Sequence, residues 1–210
     1  MNSIGVRELD GTVSEVLETT PFIDIHTHLF APGFGKIGLW GIDELLTYHY
    51  LEAELFRSTS MHPSKYWTLS KTQRADLVWK TLFVENVPVS EAARGVIAVL
   101  QALELDANTR SLGPLREFFQ NQKLDDYIPR VFKLAGISEA VMTNDPLDAD
   151  EAAIWNSGVA PGQGFRAALR IDRILNEWDV HWNVMASQGY SVQQDCEGQT
   201  LSEVRRFLAA

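Results

Sequence analysis

The sequence predicts an α/β protein built on a parallel sheet, and three observations predict it. Short β-branched and aromatic runs occur at 22–25, 140–143 and 165–171; the intervals between them carry apolar residues at three- and four-residue spacing; and polar side chains able to do chemistry sit where each run ends. Strands that alternate with helices run parallel, and in such sheets ligands gather at the carboxyl ends of the strands. His26 and His28 stand at the first of those ends, Asn144 and Asp145 at the second, and Arg170 with Asp172 at the third.

A short helix over 14–19, ended by Pro21, precedes the first strand, Phe22-Ile23-Asp24-Ile25. His26-Thr27-His28 continues it, and because side-chain direction repeats every second residue, both imidazoles and Asp24 are expected on one side of the strand. Two neutral imidazoles on one rigid element suit a divalent metal, although two partly exposed histidines with no ligand role fit the same spacing. Ala31-Pro32-Gly33-Phe34-Gly35 reads as a loop leaving the strand. A helix is predicted over 43–56, capped by Asp43, with Leu46, Tyr50 and Ala53 on one face and His49 beside them. Further amphipathic helices are predicted over 71–84, over 90–103 with Ser90 and Glu91 at its start, over 115–120 and over 125–135. About 90 residues of mostly helical chain thus separate the first strand from the second, far more than a simple crossover needs. Asn144-Asp145-Pro146 signals a turn after the second strand, and glycines 158, 162 and 164 mark a loop before the third. Thr200-Leu201-Ser202-Glu203 reads as a capping box opening a last helix that runs on to the final residue, Ala210.

The composition is globular, 45% apolar and 22% charged over 210 residues. A net charge of −10, with Arg205-Arg206 as the only basic doublet, argues against nucleic acid or an anionic membrane as partner. The one cysteine, Cys196, lies in a polar stretch and fits a reducing compartment; it reads as an idle surface thiol. No basic region followed by an apolar stretch opens the chain, and no run of about 18 apolar residues occurs, so a cytoplasmic location is expected.

Taken in order, the segments resemble the uronate (glucuronate) isomerase family, a divergent branch of the amidohydrolase superfamily. The resemblance is carried by residues 22–29 (FIDIHTHL), 39–50 (LWGIDELLTYHY), 82–86 (LFVEN), 90–95 (SEAARG), 141–146 (VMTNDP) and 168–172 (ALRID). It implies that the whole chain, 1–210, is the N-terminal part of a (β/α)8 TIM-like barrel with a large helical insertion, about 42–135, after the first strand. It also implies an aldose–ketose isomerisation, D-glucuronate to D-fructuronate or D-galacturonate to D-tagaturonate. His26 and His28 look like metal ligands, zinc first, with manganese, cobalt or iron compatible. His49 and Tyr50 look like substrate contacts near the sugar ring, either one serving a ring-opening proton shuttle, and Arg170 looks like a clamp on the substrate. Moving a carbonyl from C1 to C2 takes a proton from one carbon and returns it to the next, so a base and a proton shuttle are wanted, and an arginine holds a carboxylate by two parallel hydrogen bonds.

Each role has a structural rival in the sequence. Tyr50 at helical spacing from Leu46 and Ala53 fits a core position, His49 a surface one, Arg170 an ion pair with Asp172, and Asp145 a turn before Pro146; the six tryptophans read as packing residues. Family members are about twice this length, and the aspartate and further arginines expected from later strands have no counterpart here. Three strands cannot close a barrel, so self-association or a separate C-terminal half is the expected partner, and turnover by these residues alone is expected to be weak or absent. Two readings stand beside the isomerase: a sugar-acid binding or assembly module without turnover, and a metal-dependent amidohydrolase.

Overall fold

The computed structural model describes residues 6–209. The first five residues and Ala210, where the sequence suggested no leader and an unterminated helix, lie outside the described residues. The chain forms two compact units, one made of the residues up to Gly38 together with those from Ile137 onward, the other of Leu39–Gly136.

The first unit holds a three-stranded parallel sheet, β1 (Phe22–Thr27), β2 (Ile137–Asn144) and β3 (Phe165–Leu169), in that spatial order. Helix α1 (Val6–Thr19) leads into β1; it starts well before the predicted 14–19. β1 pairs with β2 through an irregular register in which Asp24 faces Ala140 while Thr27 faces Met142, three steps against two. That bulge breaks the strict alternation expected from Asp24 to His26, and Asp24 instead accepts the backbone N–H of His26 at 3.1 Å. β2 and β3 pair without a slip from Ala140–Phe165 to Asn144–Leu169. Ala140, Met142 and Asn144 form the buried face of β2, and Val141 and Thr143 the half-buried one.

Four helical elements of this unit, Pro32–Ile37, Ala149–Asn156, Asp172–Asn176 and Trp178–Ser187, were not expected. Pro32–Ile37 is a 3₁₀ segment whose Phe34 is buried against Trp155, with ring centroids 5.1 Å apart. α9 (Ala149–Asn156) starts at Asp148, which caps the N–H groups of Asp150 and Glu151. α10 (Asp172–Asn176) and α11 (Trp178–Ser187) follow β3, and α12 (Thr200–Leu208) ends the described chain. The capping box expected at the start of α12 does not form: Gln199 is the cap residue, Thr200 is buried and accepts the N–H of Gln193, and Glu203 accepts that of Ser191.

The second unit is all helix around one core, in which Ile42, Leu46, Leu55, Tyr66, Val78, Val96, Leu100 and Leu115 are buried. The helix predicted over 43–56 is two, α2 (Ile42–Leu46) and α3 (His49–Ser58), because Tyr48 adopts an extended conformation between them. Asp43 lies inside α2 rather than capping it, and its carboxylate takes Arg116 at 2.9 Å. After α4 (Pro63–Tyr66), α5 (Lys71–Trp79) opens on a complete capping box of Ser70 and Gln73 and runs into a π-helical turn, Lys80–Val84. α6 (Glu91–Ala102) is capped by Ser90 as its sequence predicts; α7 (Gly113–Gln120) and α8 (Leu124–Ala135) follow. Gly136 ends α8 at φ 65°, a left-handed turn that glycine adopts without a Cβ clash and that delivers the chain into β2. Trp79 is buried as a packing residue, but Trp67 is exposed, with the Arg74 guanidinium 5.1 Å from its ring.

Candidate functional site

The residues at the carboxyl ends of the strands come from the first unit. His26 is in the last turn of the pleat of β1 and His28 just beyond it, with Thr27 buried between them. Their imidazole centroids are 5.0 Å apart, edge to face, which is the shared side the His-x-His spacing predicts. Both rings are exposed. Thr143, one residue from the end of β2, brings its hydroxyl to 3.4 Å from His26 Nδ1 and from the carbonyl of Thr27. Among the described residues no group of three or more His, Cys, Asp or Glu side chains is gathered to hold a metal ion. The donor chemistry therefore fits a divalent ion only as part of a ligand set: two imidazoles, where a catalytic site normally takes three protein ligands.

Arg170 leaves the end of β3, and its backbone N–H donates to the carbonyl of Asn144 at 2.7 Å. Its guanidinium pairs with Asp172 at 2.9 Å, the pairing that rivals a clamp role. Both partners are half exposed, and exposed pairs of this kind contribute only about 0–1 kcal/mol, so a second carboxylate can compete for the arginine. Asp145 does shape the turn: it accepts the N–H of Leu147 at 3.0 Å while its other oxygen pairs with Arg173 at 3.1 Å.

His49 and Tyr50 belong to the second unit. They occupy the first turn of α3, and with Tyr48 they form a ring cluster: centroids are 4.3 Å apart for Tyr48 and His49, 4.2 Å for His49 and Tyr50, and 5.4 Å for Tyr48 and Tyr50. Tyr50 is 62% exposed, so it is not the core residue that its spacing from Leu46 permits. The break at Tyr48 interrupts the helical phase between Leu46 and Tyr50, and Leu51 and Leu55 take the buried positions of α3 instead. Burial, and then the neighbouring Tyr50 hydroxyl, push the Tyr48 hydroxyl above its usual range.

No family model matches the chain, and no curated protein does. Among solved structures the chain is similar to a crystal structure of a uronate isomerase from Bacillus halodurans C-125, at 45% identity and a TM-score of 0.89 over 99% of its own length. The chain resembles the uronate isomerase family. It spans 49% of the length of the Bacillus enzyme's chain.

Two residues of this uronate isomerase relative escaped the sequence. Thr143 has no motif of its own; only the register that sets β2 beside β1 brings its hydroxyl to His26. Glu151 is buried on α9, where its carboxylate accepts from Asn144 Nδ2 at 2.6 Å, the backbone N–H of Asp145 at 3.0 Å and Trp155 Nε1 at 3.4 Å. The signal for α9 was legible, since Asp148 followed three residues later by Glu151 is a helix start. The role of the glutamate was not, because its partners lie at the end of a strand.

Proposed function

We propose that this chain is the N-terminal part of a uronate isomerase that interconverts hexuronates between aldose and ketose forms, D-glucuronate with D-fructuronate and D-galacturonate with D-tagaturonate. The observation that carries the reading is the 45% identity and TM-score of 0.89 to a uronate isomerase over 99% of the chain. In this reading the three strands are the first of a (β/α)8 barrel, and the helical unit is an insertion after the first strand. Arg170 exchanges Asp172 for the substrate carboxylate, which two parallel N–H donors hold in a fixed plane. His49 or Tyr50 carries the proton that ring opening moves between oxygens. His26 and His28 hold the divalent ion, zinc in the first instance, and Thr143 steadies the His26 ring. When bound, the ion supplies polarisation of the carbonyl and enediolate oxygens.

The remaining strands, on a linked or separate chain, or a second copy of this one, cover the free edges of β1 and β3. The exposure of apolar strand residues supports this, Ile25 above all at 79%. The two-donor set among the described residues favours binding without turnover for the 210 residues alone.

The test is a coupled assay of D-glucuronate conversion, with and without added zinc or manganese, on the 210-residue chain and on that chain mixed with the C-terminal half of the Bacillus halodurans enzyme. Turnover only in the mixture is expected. Absence of turnover in a mixture that does assemble, with D-glucuronate also failing to bind, would overturn the reading.

A further inference from the structure

Glu151 is a carboxylate buried to 4% exposure, and no cation lies within ion-pair distance of it among the described residues. Burying such a group costs free energy unless donors surround it, and here they do: Asn144 Nδ2, the Asp145 N–H and, more weakly, the Trp155 indole. Two of the three belong to the last residue of β2 and the one after it. The donors lead onward to the end of β3. The carbonyl of Asn144 takes the backbone N–H of Arg170 at 2.7 Å, and Asp145, fixed through its own N–H, pairs with Arg173 on α10 at 3.1 Å. Both strand ends that carry the proposed clamp are thereby referred to one side chain on α9. A solvated helix face would serve α9 equally well if holding the helix were all that Glu151 did.

We propose that Glu151 is a positioning residue, which fixes the ends of β2 and β3 and so sets where the Arg170 guanidinium meets a substrate carboxylate. The ligand-binding half of this inference rests on the uronate reading; the geometric half does not. Asn144 adds a second feature. Its Oδ1 is buried without a hydrogen-bond partner, so a half-turn of its amide lets it accept a bond from an amide placed at position 151. Glu151→Gln is therefore expected to preserve the network and Glu151→Ala to break it.

The experiment measures backbone amide exchange and D-glucuronate affinity by NMR on the full 210-residue chain and on both variants. In Glu151→Ala the Arg170 amide is expected to exchange at least about tenfold faster while the β1–β2 ladder keeps its protection, and in Glu151→Gln it stays within about twofold of the parent. D-glucuronate affinity is expected to fall about tenfold or more in the alanine variant and to hold in the glutamine variant. Unchanged Arg170 protection in a folded Glu151→Ala, or an equal rise at every protected amide, overturns the positioning role. A local loss at Arg170 in a protein whose parent never binds D-glucuronate upholds the positioning role and overturns the ligand-binding half of the inference, while the uronate reading stands or falls by the mixed assay. Should the alanine variant fail to fold, Asn144→Ala removes the shortest of the three bonds and is held to the same prediction at Arg170.

Discussion

Arg74 shows at the residue scale how a buried charge is held. Its Nη1 donates to Glu52 Oε1 at 2.9 Å, and the Tyr66 hydroxyl donates to the same oxygen at 2.8 Å. Burial, and then the bond to Glu52, drive the Tyr66 hydroxyl well above the usual tyrosine range, so it stays a donor at any physiological pH. Removing the cation leaves a carboxylate in the core with one neutral donor, and Arg74→Met is expected to cost about 3–5 kcal/mol in urea unfolding. A loss under about 1 kcal/mol would mean that Glu52 reaches water. The same scale holds the metal prediction. His26→Ala or His28→Ala is expected to weaken zinc binding to the chain, followed by calorimetry, by about tenfold or more, because each leaves a single imidazole. The sequence identified His26 and His28 because their spacing is a property of the chain itself. It missed Thr143 and Glu151 because their significance lies in residues brought near by strand register and by the return of α9.

At the scale of the element, local chemistry explains most boundaries. Ser70 with Gln73 and Ser90 start α5 and α6 where the sequence places them, and Ser70→Ala is expected to lower the unfolding free energy by about 1 kcal/mol. α12 is the exception, since tertiary partners take both arms of its expected capping box. Glu203 accepts from Arg206, at 2.7 Å, and from the Ser191 N–H, and these bonds lower its carboxyl from the usual 4.5 to about 2. A depressed carboxylate stabilises the fold above its unfolded value and loses that contribution as pH falls through its folded one. Comparing Glu203→Gln with the parent, the stability difference is expected to be constant from neutral pH down to about 4.5 and to close between there and about 2. A difference that persists below about 2 would assign it to shape rather than charge. α1 illustrates what an element cannot settle alone: Leu9, Val13 and Val16 form an apolar stripe that remains exposed.

For the whole molecule, the parallel sheet is the decisive feature. Such sheets are normally covered on both faces, yet among the described residues β1 and β3 have free edges, and Phe22, Ile23, Ile25 and Leu169 are exposed. The chain is therefore expected to self-associate with rising concentration in sedimentation velocity, and Ile25→Lys to reduce that association, as edge charges do. A monomer at all concentrations would show that the exposed strand residues are tolerated in water. No helix among the described residues is long and apolar enough to cross a membrane.

The sequence by itself determined the α/β class, the positions of the three strands along the chain, most helix starts and the family resemblance, because these rest on periodicity, caps and motifs that act within a few residues of chain. It also placed the polar residues at the strand ends, since a parallel sheet sends every carboxyl end the same way. Tertiary structure alone decided the bulge that takes Asp24 out of phase, the break that exposes Tyr50, the pairing of Arg170 with Asp172 and the burial of Glu151. The bulge and the burial of Glu151 depend on which distant groups are brought alongside, which is resolved only when the strands have found their register, while the break and the Arg170–Asp172 pair turn on backbone conformations that residue spacing does not report.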